Sequence, residues 1–231
     1  MIRALLTIDD VSSKNTPAIV DYLNEKKIKP IMFAVGEWAE QHPDEMIYIL
    51  KNGIIVGNHS YTHPQFSGLS FEECVSEIEK NEEFLNRFYE KAGVERKYRP
   101  FRFPYGDKGG DNKEKLQEYL REKGFDKVDD TKLGYPWWSE KGLDKDIDTF
   151  WSFDLAEYNI RPGSGFTKDD VIKKIYATET EDGAVMLKED SNHIILLHAH
   201  DETEEMVPGY YRIFVDELLK NGVEFVEPSF L

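Results

Sequence analysis

Arg3-Ala4-Leu5-Leu6-Thr7-Ile8-Asp9-Asp10 is an apolar β-type run that ends in two adjacent carboxylates. It reads as a first strand, residues 3–8, with chemistry waiting at its C-terminal end. Working outward, β-type runs alternate with helical patterns, the signature of βα units around a parallel sheet. Further strands are expected at 30–35, 54–57, 100–103, 125–128, 149–153, 194–198 and 223–226. Thr16 stands as the N-cap of the first helix, with Pro17 at its first position and Ile19, Val20 and Leu23 on one face. Residues 43–51 form a short helix closed by Asn52-Gly53. Ser70 with Glu73 makes a capping box for a long helix through Lys91, stopped by Gly93. Helices over 112–123, from Thr167 to Thr178 and over 210–220 complete the alternation. No linker or repeat divides the 231 residues, so residues 1–231 are expected to form one α/β domain, barrel or doubly wound.

Composition narrows the class. Hydrophobic residues at 40% and charged residues at 32% suit an ordinary globular protein. Aromatics reach 13%, and Trp38, Trp137, Trp138 and Trp151 are available to line a cleft that could stack on sugar rings, although most such rings belong to a core. A net charge of −16 repels polyanions, which argues against nucleic acid or an anionic membrane as partner and favours a neutral or cationic substrate. The only cysteine, Cys74, excludes an intramolecular disulfide and falls in a helical stretch as an inert buried thiol. No basic-then-apolar leader opens the sequence, and no apolar run approaches the roughly 20 residues a membrane helix needs. The expectation is a cytoplasmic protein as written, with no membrane insertion; a trimmed secreted form and the oligomeric state stay open.

Polar residues gather at the C-terminal ends of the expected strands, the edge where parallel α/β proteins build active sites. Asp9-Asp10 is costly to hold together unless a cation separates the two roles; alone, it is also a common solvated turn. His59 and His63 are spaced i, i+4, so one helical turn would bring both imidazoles to one face, a standard presentation to zinc. The plain alternative is two hydrogen-bonded turn histidines. Arg102-Phe103-Pro104-Tyr105-Gly106 forces a sharp turn that can aim the Tyr105 N–H into a cleft as an oxyanion donor, while Arg102 can pair with a carboxylate. Trp151-Ser152-Phe153-Asp154-Leu155-Ala156-Glu157-Tyr158 offers two carboxylates, either able to orient a histidine, or else a helix-entry cap. In Ile194-Ile195-Leu196-Leu197-His198-Ala199-His200-Asp201, period-two alternation puts Leu196, His198 and His200 on one face, and a histidine there could act as general acid. His42 and His193 read as structural or solvated.

Taken in order, these stretches resemble the polysaccharide deacetylase family, also called carbohydrate esterase family 4. Thr7-Ile8-Asp9-Asp10 resembles T-F-D-D; His59-Ser60-Tyr61-Thr62-His63-Pro64 matches H-[ST]-x-x-H-P; Arg102 to Gly106 matches R-x-P-Y-G; Trp151 to Tyr158 resembles W-S-x-D-x-x-D-W; and Leu196-Leu197-His198 matches L-x-H. The resemblance implies a distorted (β/α) barrel of about seven to eight strands with a divalent cation, zinc first, then cobalt, nickel, manganese or iron. It also implies a carbohydrate substrate losing an N- or O-acetyl group, most readily an N-acetylglucosamine-type polymer or oligomer. Carried over, Asp10, His59 and His63 would bind the metal. Asp9 would be the general base, held by Arg102, and His198 the acid for the leaving group, oriented through Glu157. The Tyr105 N–H would stabilise the oxyanion, and Leu196, Trp151 and Tyr158 would bind substrate.

The sequence departs from the pattern in places. Val11-Ser12 replaces the usual Gly-Pro, Glu157 replaces an aspartate and Tyr158 a tryptophan, and His200-Asp201 offers a rival to His198. Two further readings follow: a cytoplasmic amidase of the same fold acting on a small cyclic imide or ureide, and a catalytically silent carbohydrate-binding domain.

Overall fold

The structure, a computed structural model, describes residues 1–231. In chain order the elements are β1 (Ile2–Val11), α1 (Thr16–Lys26), β2 (Ile31–Ala34), α2 (Gly36–Ala39), α3 (Pro43–Lys51), β3 (Ile55–Asn58) and α4 (Phe71–Ala92). They are followed by α5 (Lys113–Glu122), α6 (Pro136–Glu140), β4 (Phe153–Asp154), α7 (Lys168–Tyr176), β5 (Asn192–His198), α8 (Asp201–Met206), α9 (Tyr210–Lys220) and β6 (Val223–Phe225). No helix is long and apolar enough to cross a membrane.

All ladders are parallel, in the order β3-β2-β1-β5-β4, with β6 also on β1. β6 takes Ile2–Ala4 and β2 takes Thr7–Val11, so the two share the edge of β1 opposite β5. This is the α/β architecture expected. Of the eight strand segments read from sequence, five form regular strands, and a sixth, 149–153, contributes only Phe153 to the two-residue β4. Residues 100–103 and 125–128 contribute only isolated bridges, Asn58 with Phe101 and Val128 with Phe230. Pro100 and Pro104 supply no N–H and confine the former to a brief contact. No continuous ladder closes the circle. The gap between β3 and β4 is spanned by single bonds: Asn58 N–H to Pro100 O at 2.9 Å, Arg102 N–H to Asn58 O at 2.9 Å and Thr149 N–H to Phe101 O at 2.7 Å. The result is a distorted (β/α) barrel.

β1 is longer than expected because β5 and β2 pair along its whole upper half; Asp9 lies opposite His198, and Val11 opposite Ala34. The two acids therefore sit within the strand rather than after it. Alternation then divides its side chains. Leu6 and Ile8 join the main core of 37 buried residues between sheet and helices. Leu5 joins Ile31, Phe33 and Ile194 in a smaller cluster. Thr7 and Asp9, on the Leu5 face, point into the same interior. A third cluster, with Phe66, Cys74, Ile78, Phe101, Phe103 and Leu120, packs α4 and α5 against the 101–103 segment.

Several local expectations hold. The Ser70–Glu73 capping box opens α4, and Gly93 closes it at φ 69°. The Asp170 carboxylate accepts from the Thr167 N–H at 2.9 Å at the start of α7. Burial raises the Cys74 thiol to about 11, as suits an inert residue. One cap is corrected: Asn15, not Thr16, occupies the N-cap of α1, because Thr16 Oγ1 accepts from Ser13 N–H at 2.9 Å. The short helices α2, α6 and α8 were not legible, since each spans six residues or fewer and carries no period.

Candidate active site

The C-terminal ends of β1, β3 and β5 meet around one cavity of about 270 Å³ lined by Asp9, Asp10, His59, His63, Leu196 and His198, with Trp38, Tyr105, Trp151 and Tyr158 among its walls. All the residues singled out for chemistry border it except Arg102 and Glu157, which are fully buried beneath.

Asp10, His59 and His63 each turn one donor atom into a common space. Asp10 Oδ1 stands 3.7 Å from His59 Nε2 and 3.6 Å from His63 Nε2. Donors about 2.1 Å from a tetrahedral ion lie about 3.4 Å apart, so these two separations suit a zinc-sized cation. Asp10 Oδ1 is buried and has no hydrogen-bond partner, an expensive state for a carboxylate oxygen unless a cation occupies the space before it. The other ring nitrogen of His59, Nδ1, lies 2.8 Å from the Arg102 carbonyl. That contact fixes the tautomer and leaves the Nε2 lone pair facing inward. Burial and the neighbouring His59 push His63 down to about 4, so it presents a neutral imidazole. Burial alone would raise the Asp10 carboxyl, but the His200 hydrogen bond and the histidine charges around it hold it well below the usual carboxylate range.

The two histidines do not converge through a helical turn, as their spacing suggested. The 59–63 segment is a non-helical loop in which Ser60 and His63 take φ values of 64° and 59°. Its shape is imposed from outside. Glu77, on α4, accepts from the N–H groups of Tyr61 and Thr62 at 3.0 and 2.7 Å and from the Thr62 hydroxyl at 3.0 Å. Asn58 Oδ1 accepts from Ser60 N–H at 2.8 Å, and Ser60 Oγ from His63 N–H at 3.1 Å. Asn58 is itself held by Asn81 and Glu82. Left-handed backbone recurs at Asp10, Tyr105 and Ala156, at φ 65°, 58° and 60°. Such conformations cost about 1–3 kcal/mol each and cluster where a surrounding scaffold can enforce them.

Beside the donors, Asp9 is gripped from behind. Arg102 Nη1 donates to Asp9 Oδ1 at 2.7 Å and lies 2.8 Å from Thr7 Oγ1, while its Nε donates to the Thr149 carbonyl at 2.9 Å. Its guanidinium carbon rests 4.5 Å over the Phe33 ring. The other carboxylate oxygen, Asp9 Oδ2, faces His59 Nε2 at 3.4 Å.

On the far side, His198 Nδ1 contacts Glu157 Oε1 at 3.1 Å, and the same oxygen accepts the His198 backbone N–H at 2.6 Å. Burial opposes a charged ring there, yet the Glu157 charge and hydrogen bond, with Asp10 and Asp9 behind, push His198 up to about 10. Asp154, the other carboxylate considered, is instead spent on Ala156 N–H at 2.7 Å. Tyr158 stands edge-on to His198 at 4.8 Å. His200 does not share Glu157; its Nε2 meets Asp10 Oδ2 at 2.6 Å.

The Pro104–Gly106 turn spends its hydrogen bonds on Gly106 N–H to Phe103 O and Asp107 N–H to Pro104 O, which leaves the Tyr105 N–H uncommitted. The Tyr105 and Trp38 rings flank His63 at 4.5 and 5.2 Å. Trp151 stacks on Phe150 at 4.3 Å and forms a wall. Sequence reading missed Glu77 and Asn81, which support the segment carrying the two histidines, and Arg161, which lines the cavity. Helical periodicity marks neither of the first two, and Arg161 lies in a loop.

The family described as Polysaccharide deacetylase matches residues 2–128. A peptidoglycan-N-acetylglucosamine deacetylase of Bacillus cereus is 38% identical over 103 residues, 44% of this chain and 36% of that protein. The peptidoglycan-N-acetylglucosamine deacetylase PgdA of Listeria monocytogenes is 29% identical over 221 residues, 94% of this chain and 38% of that protein. The chain thus spans less than half the length of these relatives. Among solved structures, the Bc1960 peptidoglycan N-acetylglucosamine deacetylase superposes with a TM-score of 0.67 at 22% identity, over 97% of this chain and 85% of that one, a likeness of fold.

Proposed function

The chain belongs to the polysaccharide deacetylase family, and from that membership we propose a metal-dependent hydrolase that removes acetyl groups from a carbohydrate, an N-acetylglucosamine-type polymer or oligomer first. We take residues 1–231 as one catalytic domain, because residues from Asp9 to His200 line a single cavity.

One observation carries the reading: the buried, unpartnered Asp10 Oδ1 faces two imidazole nitrogens, with a separate carboxylate and a separate histidine on either side. Asp10, His59 and His63 would hold the cation, zinc by preference of the donor set. A cation there supplies Lewis acidity and acidifies water towards neutral pH.

The rest belongs to the chain. Asp9, held by Arg102, takes the proton of the attacking water. The Tyr105 N–H, committed to no other acceptor, donates to the oxygen that gains negative charge in the tetrahedral intermediate. His198, kept protonated by Glu157, gives its proton to the departing amine or alcohol. Leu196 bounds the space for the acetyl methyl, and Trp151 and Tyr158 wall the sugar side. Base and acid remain distinct because one carboxylate stays off the donor set and the acid lies across the cavity.

The test is metal content together with acetate release. Protein loaded with zinc, cobalt or nickel is offered N-acetylglucosamine oligomers, acetylated xylan and small cyclic imides, with His59→Ala as the blank. Stoichiometric metal and acetate from a glycan support the reading. Hydrolysis of the cyclic imides alone moves the substrate to a small amide, and no bound metal ends the proposal.

A further inference from the structure

His198 and His200 share one face of the chain leaving β5, yet they serve different partners. His198 turns to Glu157, while His200 Nε2 lies 2.6 Å from Asp10 Oδ2. The two oxygens of Asp10 are thereby unequal: Oδ2 is taken by His200, and Oδ1 is left unpartnered towards His59 and His63. From this asymmetry we propose that His200 is a positioning residue for the metal centre, holding Asp10 so that one carboxylate oxygen alone faces the cation. The inference rests on the metal reading given above.

The contact is built into the backbone on both sides. The loop that follows Asp10 is stitched to the segment carrying His200: the Asp201 carboxylate accepts from Lys14 N–H at 3.2 Å and Asn15 N–H at 3.0 Å, and Asn15 Nδ2 donates to the His200 carbonyl at 3.3 Å. Ala199 N–H donates to the Asp9 carbonyl at 3.0 Å. Asp10 and His200 are thus ends of a closed hydrogen-bonded circuit, and neither side chain needs to reorganise to meet the other. A carboxylate without this restraint could rotate, offer both oxygens to the ion or turn away. A donor on the outer oxygen removes those options, as hydrogen bonds behind a ligand generally do.

The experiment measures metal affinity directly, by competition with a chromophoric chelator, and the visible spectrum of the cobalt-loaded protein. Wild type is compared with His200→Ala and with His200→Gln, whose amide N–H can reach the position of Nε2. His200→Ala is expected to bind zinc about 10–100-fold more weakly and to shift the cobalt bands. His200→Gln should recover most of the affinity and the wild-type spectrum. An affinity for His200→Ala within twofold of wild type, with unchanged cobalt bands, overturns the inference and leaves the metal reading standing. Wild-type protein that binds no metal overturns both.

Discussion

Arg102 and Asp9, 93 residues apart, form a buried ion pair at 2.7 Å inside the barrel, the arginine fully covered and the aspartate nearly so. The pair joins the 101–103 segment to β1 where no ladder connects them. Desolvating both charges is expensive, and removing one partner strands the other. Arg102→Gln is expected to destabilise the fold by about 3–5 kcal/mol in urea unfolding. Adding Asp9→Asn should return part of that loss. Additive losses would mean the pair is not energetically coupled.

Asp9→Asn alone separates base from ligand. Acetate release should fall about 10²–10⁴-fold, the usual worth of a positioned base. Metal content, read by elemental analysis, should be unchanged. Lost metal would place Asp9 among the ligands, and undiminished turnover would remove it from the reaction.

Glu157 controls the charge on His198, and the sign is definite. The folded value of about 10 lies above the ordinary 6.5, so the protonated ring adds stability that is fully present below pH 6.5 and is lost as pH rises towards 10. Glu157→Gln keeps an oxygen for the His198 N–H but removes the charge. The alkaline limb of the acetate-release profile should therefore move down towards the ordinary imidazole range. The stability gap between wild type and variant should narrow between pH 6.5 and 10. A superimposable profile would exclude His198 as the proton donor.

Glu77 shapes the histidine loop without touching a ligand. Glu77→Ala should weaken metal binding by about tenfold or more, as lost support behind ligands does. The cost to stability should be about 1–3 kcal/mol. Metal affinity equal to wild type would show that the loop holds its shape unaided.

Metal itself should stabilise the native state. At a free zinc concentration of 100 times Kd, the gain is about 2.7 kcal/mol, visible as a rise in Tm that a chelator reverses. An unmoved Tm would contradict a folded-state metal site.

Much of this was legible in residues 3–10 and 194–201. Apolar runs ending in acids and histidines specified β1 and β5, and with them the active edge of a parallel sheet. Terminal signals did the same for α4, where Ser70, Glu73 and Gly93 act within a turn of the helix they bound. Isolated bridges at Phe101 and Val128 were over-read as strands, since a β-type run does not reveal how many neighbours it will find.

The sequence by itself determined which chemistry was available: two carboxylates, two histidines at a close spacing and a further pair of histidines two residues apart, each at a strand end. Local interactions suffice for that, because strand alternation and capping act over a few residues. Only the tertiary structure decided which partner each group received. Glu157 rather than Asp154 went to His198, His200 went to Asp10, and a loop held by Glu77, rather than a helical turn, aligned His59 and His63. Those choices depend on distances between segments up to 190 residues apart, and such distances exist only once the sheet is assembled.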